Sequence, residues 1–367
     1  MIRFLHTGDL HLCSAFSAFG TGAAMRRERQ FAALERLFED ALSAGAQFVL
    51  MAGDVFDTLS PDREAVRRLM AMLGALPVPA LIAPGNHDYY RPGGLWDLAF
   101  LPDNVTIFKE NALAARPISG LPVTVWGYAF TEETCSSPVL GRAADREEGQ
   151  THILLAHADL ISPLSSYAPI SAGQLEVTGF AYAALGHIHK PTKPRRCGHT
   201  MAAYCGFFAG RGFDEPGAGG ANLVEIDGRE VKIGRILSVA DRFEILPMDL
   251  TGAMGGEEVR TRVRDGLAAE NLPKETALRV ILRGEVGADC HPDAAALSRL
   301  GESFALFEVR DETLPVFNAA YLEKDPGMRG AFYRAMLPRL HSTDEKERAL
   351  AAQALRFGFA ALSGREV

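Results

Sequence analysis

Near its N-terminus the sequence reads Ile2-Arg-Phe-Leu-His-Thr-Gly-Asp-Leu-His11, an apolar run followed by an aspartate and a histidine two residues apart. Four more segments repeat the pattern of a short apolar run and then a residue type that binds metals. They are Phe48-Val-Leu-Met-Ala-Gly-Asp54, Ala80-Leu-Ile-Ala-Pro-Gly-Asn86, Ile153-Leu-Leu-Ala-His157 and Ala183-Ala-Leu-Gly-His-Ile-His189. Apolar runs of this length predict buried strands.

Strand ends are where such residues can meet. If the five predicted strands are parallel or mixed neighbours in one sheet, their carboxyl ends share an edge, and ligand sites form at that edge. Asp9 and His11 alternate past a strand, as do His187 and His189, so each pair can point the same way. A glycine also precedes the first ligand in four segments, which lets the backbone turn beside an ion without a Cβ clash. These glycines are Gly8, Gly53, Gly85 and Gly186.

The residue types predict two divalent metal ions bridged by the Asp54 carboxylate. Mixed imidazole and oxygen ligands suit borderline metals better than calcium or magnesium, so we expect manganese (Mn²⁺), with iron or zinc as alternatives. The first predicted ion takes Asp9, His11, Asp54 and His189, and the second takes Asp54, Asn86, His157 and His187.

A two-ion centre of this kind hydrolyses phosphate esters without a protein nucleophile. We expect a hydroxide bridging the ions to be the nucleophile, because a bound cation lowers the pKa of water towards about 7. His87 carries no metal in this assignment and is free to stabilise the transition state or protonate the leaving oxygen. Asp57 is the predicted hydrogen-bond partner that fixes the tautomer of His87. We expect Asp88 to support the metal ligands from behind or to have a structural role.

Taken in order, these motifs resemble the signature of the calcineurin-like metallophosphoesterase superfamily. That signature is Asp-x-His, Gly-Asp-x-x-Asp, Gly-Asn-His-Asp/Glu, His and Gly-His-x-His. The resemblance covers roughly the first 240 residues. It implies a four-layer α/β/β/α sandwich with a smaller C-terminal α+β cap, and it implies that His87 is the catalytic histidine.

A narrower resemblance is to the SbcD/YhaO type of bacterial DNA repair exonuclease subunit. It is carried by Phe4-Leu-His-Thr-Gly-Asp-Leu-His-Leu12, Ala52-Gly-Asp-Val-Phe-Asp-Thr58, Tyr182-Ala-Ala-Leu-Gly-His-Ile-His-Lys190 and Phe213-Asp-Glu215. This resemblance implies manganese-dependent exonuclease action on DNA, with single-strand endonuclease action as a further activity. It also implies an SbcC-like coiled-coil ATPase as partner, and we consider a homodimer as well. The alternative is a phosphoesterase acting on a small nucleotide-like molecule, and a non-enzymatic scaffold is a third hypothesis.

Composition predicts two domains in a cytoplasmic enzyme. The 367 residues exceed one average domain, and we place the nuclease domain at 1–240 and a capping domain at 241–367. Five cysteines without a Cys-x-x-Cys pair fit reduced thiols, and neither a signal sequence nor a membrane span is evident. The net charge of −8 argues against a nucleic-acid substrate, but two divalent ions would offset about half of it where it matters.

Predicted helices include 25–42, then 61–73 with Ser60 as its cap, and two C-terminal helices at 330–340 and 344–362. Apolar residues of the last helix either dock on their own domain or bind a partner. Several basic and aromatic residues are candidates for substrate contact. For the basic segment after His189 the alternative is a solvated loop, and for the tyrosine it is ordinary loop packing. The candidates are Tyr90, Lys190, Lys193, Arg195, Arg196 and Arg211.

Overall fold

The computed structural model describes residues 1–97, 100–136, 140, 149–190, 192–240, 242–287, 290–316 and 319–362. The chain divides into two compact units, Met1–Arg242 and Phe243–Val367. Each unit buries apolar cores of its own.

Two six-stranded sheets form the centre of the first unit. The strands are β1 (Ile2–Thr7), β2 (Val49–Met51), β3 (Ala80–Ile82), β4 (Val105–Ile107), β5 (Ala114–Pro117), β6 (Val123–Gly127), β7 (Thr151–His157), β8 (Tyr182–Gly186), β9 (Arg195–Cys197), β10 (Thr200–Tyr204), β11 (Gly220–Asp227) and β12 (Glu230–Leu237). The strand orders are β12-β11-β1-β2-β3-β4 and β5-β6-β7-β8-β10-β9. Strands β1 to β4 run parallel, as do β6, β7, β8 and β10, whereas the remaining strands pair antiparallel.

The two sheets face each other and helices cover their outer faces. Phe4 of the first sheet and Leu155 of the second share the apolar core between the sheets. On the outer face of the first sheet, Leu5 packs in one cluster with Leu34 of α1 (Ala23–Ser43), and α2 (Arg63–Gly74) joins the same cluster. On the outer face of the second, Leu175 of α3 (Ala172–Thr178) is buried. This arrangement confirms the predicted α/β/β/α sandwich class.

The helix predicted for residues 61–73 begins later than expected. Asp62, not Ser60, is the cap, because its carboxylate accepts the main-chain N–H of Glu64 at 3.1 Å. The ψ of Asp62 is 134°, an extended value that keeps Pro61 and Asp62 outside the helix. The predicted helix 25–42 is confirmed within two residues at each end.

The strands that precede the predicted ligands lie in both sheets, so the expectation of one sheet is wrong. β1, β2 and β3 are neighbours in the first sheet, with Thr7 opposite Met51 and Met51 opposite Ile82. β7 and β8 are neighbours in the second, with His157 opposite Gly186. Within each sheet the carboxyl ends are therefore aligned. Long apolar runs bury both faces of a strand and carry no signal that would assign them to one sheet or two.

The second unit combines a small parallel sheet with helices. Its elements are β13 (Phe243–Asp249), α4 (Gly256–Glu270), β14 (Ala277–Arg283), β15 (Glu285–Val286), α5 (Ala294–Ser298), β16 (Leu306–Asp311), β17 (Leu314–Pro315), α6 (Ala319–Lys324), α7 (Met328–Leu340) and α8 (Glu345–Leu362). The sheet order is β13-β14-β16, and β15 pairs with β17.

The last helix, α8, has one docked face and one exposed face. Leu355 and Phe359 are buried in a cluster with Tyr333 of α7, whereas Leu350 and Phe357 are 68% and 44% exposed. Docking on its own unit therefore accounts for only part of its apolar surface. In the part of the chain that the structure describes, none of the helices combines the length and the apolar character that a membrane span requires.

Candidate metal centre

The loops that follow β1 and β2 run side by side and place their acidic and imidazole side chains together. The main-chain N–H of Asp9 donates to the carbonyl of Gly53 at 3.0 Å, and that of His11 donates to the carbonyl of Asp54 at 2.9 Å. Asp9, His11 and Asp54 have φ values of 47°, 45° and 48°. Non-glycine residues rarely adopt this left-handed conformation, and such strain concentrates at functional sites.

The two sheets come together at glycines beside these loops. A Cβ on Gly186 would lie 1.8 Å from the carbonyl oxygen of Ala52. A Cβ on Gly53 would lie 2.5 Å from Nδ1 of His157, and Gly53 has a φ of +80°. Any side chain at either position would push the sheets apart. The glycines therefore allow ligands from both sheets to meet.

The first predicted ligand set lies together in the structure, and we call it site A (Asp9, His11, Asp54 and His189). Its potential ligand atoms all lie within 4.8 Å of one another. Nε2 of His189 is 3.2 Å from Nε2 of His11 and 3.8 Å from Oδ1 of Asp9. Asp9, His11 and Asp54 are buried, whereas the His189 side chain is 26% exposed.

The second predicted set, which we call site B (Asp54, Asn86, His157 and His187), adjoins site A. Nε2 of His157 lies 2.9 Å from Oδ1 of Asn86 and 3.4 Å from Oδ2 of Asp54. The His187 ring stands 5.3 Å from the His157 ring, centroid to centroid. Oδ2 of Asp54 also lies 3.7 Å from Nε2 of His11 in site A. One oxygen of Asp54 thus faces both ligand sets, as a bridging carboxylate would.

Three of these histidines each use Nδ1 for a hydrogen bond, which leaves Nε2 of each ring available to bind a metal. Nδ1 of His11 donates to Asp57 at 2.8 Å, that of His189 to Glu215 at 2.7 Å, and that of His157 to the carbonyl of Ala52 at 2.9 Å. These partners assign the proton to Nδ1, so each Nε2 carries a lone pair. The Nε2 atoms converge on buried carboxylate and amide oxygens. This donor set fits divalent cations of the kind that prefer mixed nitrogen and oxygen ligands.

Burial acts on the pKa of several of these side chains, and in His189 burial is outweighed by the hydrogen bond to Glu215 and the charges of Asp9 and Glu215, which together raise the pKa. Burial, and then the neighbouring His157, lower the pKa of His187 to about 4, so its ring is neutral near pH 7. Burial raises the pKa of Asp9, and a cation bound beside it would favour the ionised carboxylate.

Asp57 forms its hydrogen bond with His11 rather than with His87, which corrects the predicted pairing. Oδ1 of Asp57 accepts from His11 and, at 3.0 Å, from Nη1 of Arg211, whereas Nδ1 of His87 is 3.9 Å away. His87 instead lies edge-on to the His11 ring with a side chain that is 43% exposed. Its main-chain N–H donates to Oδ1 of Asp54 at 2.9 Å. His87 is therefore at the solvent side of the centre, where a substrate could reach it.

Sequence reasoning assigned no role to Glu215, which is buried beside site A. Burial alone would raise its pKa, but hydrogen bonds from His189 and Arg211 lower it to about 2. The only sequence signal was its place in the Phe213-Asp-Glu215 stretch of the resemblance.

Asp88, expected to be structural, joins two ligand loops. It is fully buried and accepts main-chain N–H groups of Val55 at 2.8 Å, Phe56 at 3.2 Å and Gly85 at 2.8 Å. Burial, and then the negative charge of Asp54, raise the pKa of Asp88. Asp88 thereby fixes the loop that carries Asp54 against the loop that carries Asn86.

The residues predicted to contact substrate fall into two groups. The first group already has protein partners. Arg211 forms hydrogen bonds to carboxylates. Tyr90 is half-buried and the Lys109 ammonium lies 5.5 Å from the centre of its ring, which favours loop packing for Tyr90. The other four are exposed, on the segment that follows His189 and on strand β9, and residue 191 of this segment lies outside the described residues. These four are Lys190, Lys193, Arg195 and Arg196.

The arrangement suits phosphoester hydrolysis. When bound, two divalent ions would act as Lewis acids towards a phosphoryl oxygen and lower the pKa of water. The chain's own contribution is to hold the ligands, to keep the histidines in the required tautomers and to present the His87 imidazole at the open side. A neutral imidazole can accept a proton there, and an imidazolium can donate one to a leaving oxygen.

Comparisons with known proteins show the family to which this fold belongs. Residues 2–191 match the calcineurin-like phosphoesterase family. The chain is 26% identical over 242 residues to the uncharacterized metallophosphoesterase YhaO of Bacillus subtilis, covering 63% of this chain and 59% of that protein. It is 30% identical over 318 residues to the DNA double-strand break repair protein Mre11 of Haloferax volcanii, covering 84% and 66%. It is 25% identical over 257 residues to the SbcD component of the nuclease SbcCD of Bacillus subtilis, covering 59% and 64%.

The fold and the arrangement of these side chains are of the metallophosphoesterase class. The chain belongs to the calcineurin-like phosphoesterase family. Its matches span between 59% and 66% of the length of these relatives.

Proposed function

We propose that this chain is a DNA nuclease that hydrolyses phosphodiesters with two metal ions, manganese being the expected metal. His87 is the proposed acid or base, Asp57 and Glu215 orient histidines, and the ions occupy site A and site B. The observation that carries the proposal is Oδ2 of Asp54, which faces His11 of one ligand set and His157 of the other. Relatives named as a DNA repair protein and as a component of a nuclease support DNA as the substrate.

Contact with the DNA backbone is assigned to the exposed basic segment. Lys190, Lys193, Arg195 and Arg196 follow the ligand His189 directly and are all exposed. Phosphate contacts of this kind supply most non-specific affinity and make it depend on salt.

An enzymatic comparison tests the substrate. Labelled single-stranded and double-stranded DNA and bis(p-nitrophenyl) phosphate are incubated with the protein and manganese, then with excess chelator. The proposal predicts DNA cleavage that chelator abolishes and that H87A lowers. Cleavage of the small diester alone would favour the small-molecule alternative, and no cleavage of either would favour the scaffold hypothesis.

A charge variant tests the basic segment. The binding constant for DNA falls as the salt concentration rises. In the K193Q/R195Q/R196Q variant the slope of log binding constant against log salt concentration should become less negative by roughly 2 to 3, because each phosphate contact contributes about 0.9. R229Q/K232Q, which removes two cations from the β11–β12 hairpin, is the control and should keep the wild-type slope. An unchanged slope in the triple variant would exclude this segment from the DNA path.

Partners are part of the same proposal. A relative named as a component of the nuclease SbcCD supports an SbcC-like coiled-coil ATPase as the partner of this chain. The exposed Leu350 and Phe357 on α8 offer an apolar surface to which a helix of the ATPase could bind. Co-expression with a candidate ATPase, with L350D/F357D as the variant that should lose the complex, tests this contact. Light scattering of the purified chain tests the homodimer.

A further inference from the structure

Arg211 connects the two carboxylates that orient the histidines of site A. Its Nη1 donates to Oδ1 of Asp57 at 3.0 Å, and its Nη2 donates to Oε1 of Glu215 at 2.8 Å. The same two oxygens accept from Nδ1 of His11 and from Nδ1 of His189. One guanidinium thus meets both carboxylate–histidine pairs that face one ion.

Arg211 and Glu215 form a locally fixed pair. The main-chain N–H of Arg211 donates to Oε2 of Glu215 at 2.9 Å, and Nε lies 3.2 and 3.3 Å from the two carboxylate oxygens. The Glu215 side chain is only 4% exposed. Both residues belong to the connection between β10 and β11, whereas Asp57 belongs to the loop after β2. Arg211 therefore ties together two loops that are distant in sequence.

Site B is oriented without this arginine. Nδ1 of His157 donates to the main-chain carbonyl of Ala52 at 2.9 Å. A main-chain carbonyl beside a sheet cannot rotate away when a distant side chain is removed. The effect of losing Arg211 should consequently fall on site A.

The contacts of Arg211 disfavour the phosphate-binding role predicted from sequence. All three of its side-chain nitrogens already donate to carboxylate oxygens, and the two carboxylates more than neutralise its charge. Planar guanidinium groups suit such two-sided recognition, which a lysine cannot reproduce.

We infer that Arg211 is a positioning residue for site A, holding Asp57 and Glu215 so that His11 and His189 present Nε2 to the same ion. The inference rests on the two-metal site of the proposed function. It assigns to Arg211 an effect on metal affinity at one of two sites.

Calorimetric titration of the metal-free full chain with manganese chloride tests the inference. R211Q should weaken one of two binding events by about 10–100-fold, the usual effect of losing a residue that orients a metal ligand. The other event should stay within about twofold of wild type. R36Q is the matched control, since Arg36 also pairs with two carboxylates, Glu39 and Asp40, but on the exposed surface of α1. It should bind both ions as wild type does.

A double variant assigns the weakened event. In an H189A background, which already removes a ligand of site A, adding R211Q should change the remaining affinity by no more than about twofold. In an H187A background, the full effect of R211Q should persist. Far-UV circular dichroism shows whether each variant folds. If R211Q does not fold, R211K replaces it in the same titration; because a lysine can reach one carboxylate only, its loss of manganese affinity should be intermediate.

Two results would overturn the inference. Unchanged manganese affinity with a raised KM for bis(p-nitrophenyl) phosphate would place Arg211 on the substrate instead. Equal weakening of both ions would make it a general structural residue. Failure of the wild-type chain to cleave DNA, with a normal manganese titration, would contradict the proposed substrate and leave this inference standing.

Discussion

Nε2 of His11 and Nε2 of His189 lie 3.2 Å apart, and the Nδ1 of each ring donates to its own carboxylate. With the proton of each neutral ring on Nδ1, the two Nε2 atoms are close enough to bind the same cation. Such a cation would replace the direct contact between the two rings. The relationship makes metal binding and the stability of the first unit interdependent.

Metal binding should accordingly stabilise the protein. At manganese concentrations 100 times the dissociation constant, one site adds about 2.7 kcal/mol to the free energy of unfolding. For a unit of this size that corresponds to a rise in Tm of roughly 5–10 °C. Differential scanning fluorimetry with manganese and with excess chelator measures it. An H11Q/H189Q variant should lose the part of the shift that site A contributes and keep the part that site B contributes, and an undiminished shift in that variant would place the ion elsewhere.

Replacing His87 and replacing Asp54 should have different consequences. H87A should lower turnover by about 10²–10⁴-fold, the range for loss of an acid–base group, with manganese binding nearly unchanged. D54A should lose both turnover and metal, because one oxygen of Asp54 faces both sites. Rates with bis(p-nitrophenyl) phosphate and metal content by mass spectrometry separate the two effects. H199A, which removes an exposed histidine, is the control. An H87A enzyme with the wild-type rate would show that the assigned role is mistaken.

A methyl group at Gly186 should disrupt the contact between the sheets. Its Cβ would lie 1.8 Å from the carbonyl oxygen of Ala52, so main chain must move. We expect G186A to lower the free energy of unfolding by at least about 3 kcal/mol, the upper range for overpacking. In G234A the nearest atom to the new Cβ lies at 3.7 Å, and the change should stay within about 1 kcal/mol. Urea unfolding compares the two, and similar values for both variants would mean that the sheets do not meet at Gly186.

His6 should make the protein less stable in mild acid. Burial lowers the pKa of His6 from 6.5 to about 3, and the Tyr182 hydroxyl donates to its Nδ1 at 2.9 Å. Below pH 6.5, His6 becomes protonated in the unfolded chain, whereas in the folded chain it stays neutral down to about pH 3. The free energy of unfolding therefore falls as the pH is lowered from 6.5 to 3. At pH 5 the loss is about 2 kcal/mol.

Removing the imidazole should remove that part of the pH dependence. Urea unfolding of H6Q in chelator should show a drop in stability from pH 7 to pH 5 that is about 2 kcal/mol smaller than in wild type. H199Q, at an exposed position of the same unit, should keep the wild-type drop. An identical drop in H6Q would mean that His6 is protonated in the folded protein.

The proximity of the candidate metal-ligand side chains was predictable from sequence because each of them follows a strand end within a few residues. Asp9 and His11 after β1, or His187 and His189 after β8, needed only the alternation of a strand and a short turn. The C-terminal helices were predictable for a similar reason, because the spacing of apolar residues that indicates a helix lies within one short segment of sequence.

The partners of the ligands were not predictable, since they depend on how the loops pack. Asp57 is three residues from Asp54, and spacing alone allows it to reach either His87 or His11. The distances of 3.9 and 2.8 Å are set by the parallel course of the loops after β1 and β2. Glu215 approaches His189 from 26 residues away, and no periodic pattern carries such a contact. The division of five similar strands between two sheets depended likewise on contacts beyond the strands themselves.

Anomalous diffraction from crystals grown with manganese would test the two-ion centre most directly. We expect two peaks about 3.5–4 Å apart, one contacting Nε2 of His11 and of His189 and the other contacting Nε2 of His157, with Asp54 between them. One peak or none among these side chains, or two peaks that do not share Asp54, would contradict it.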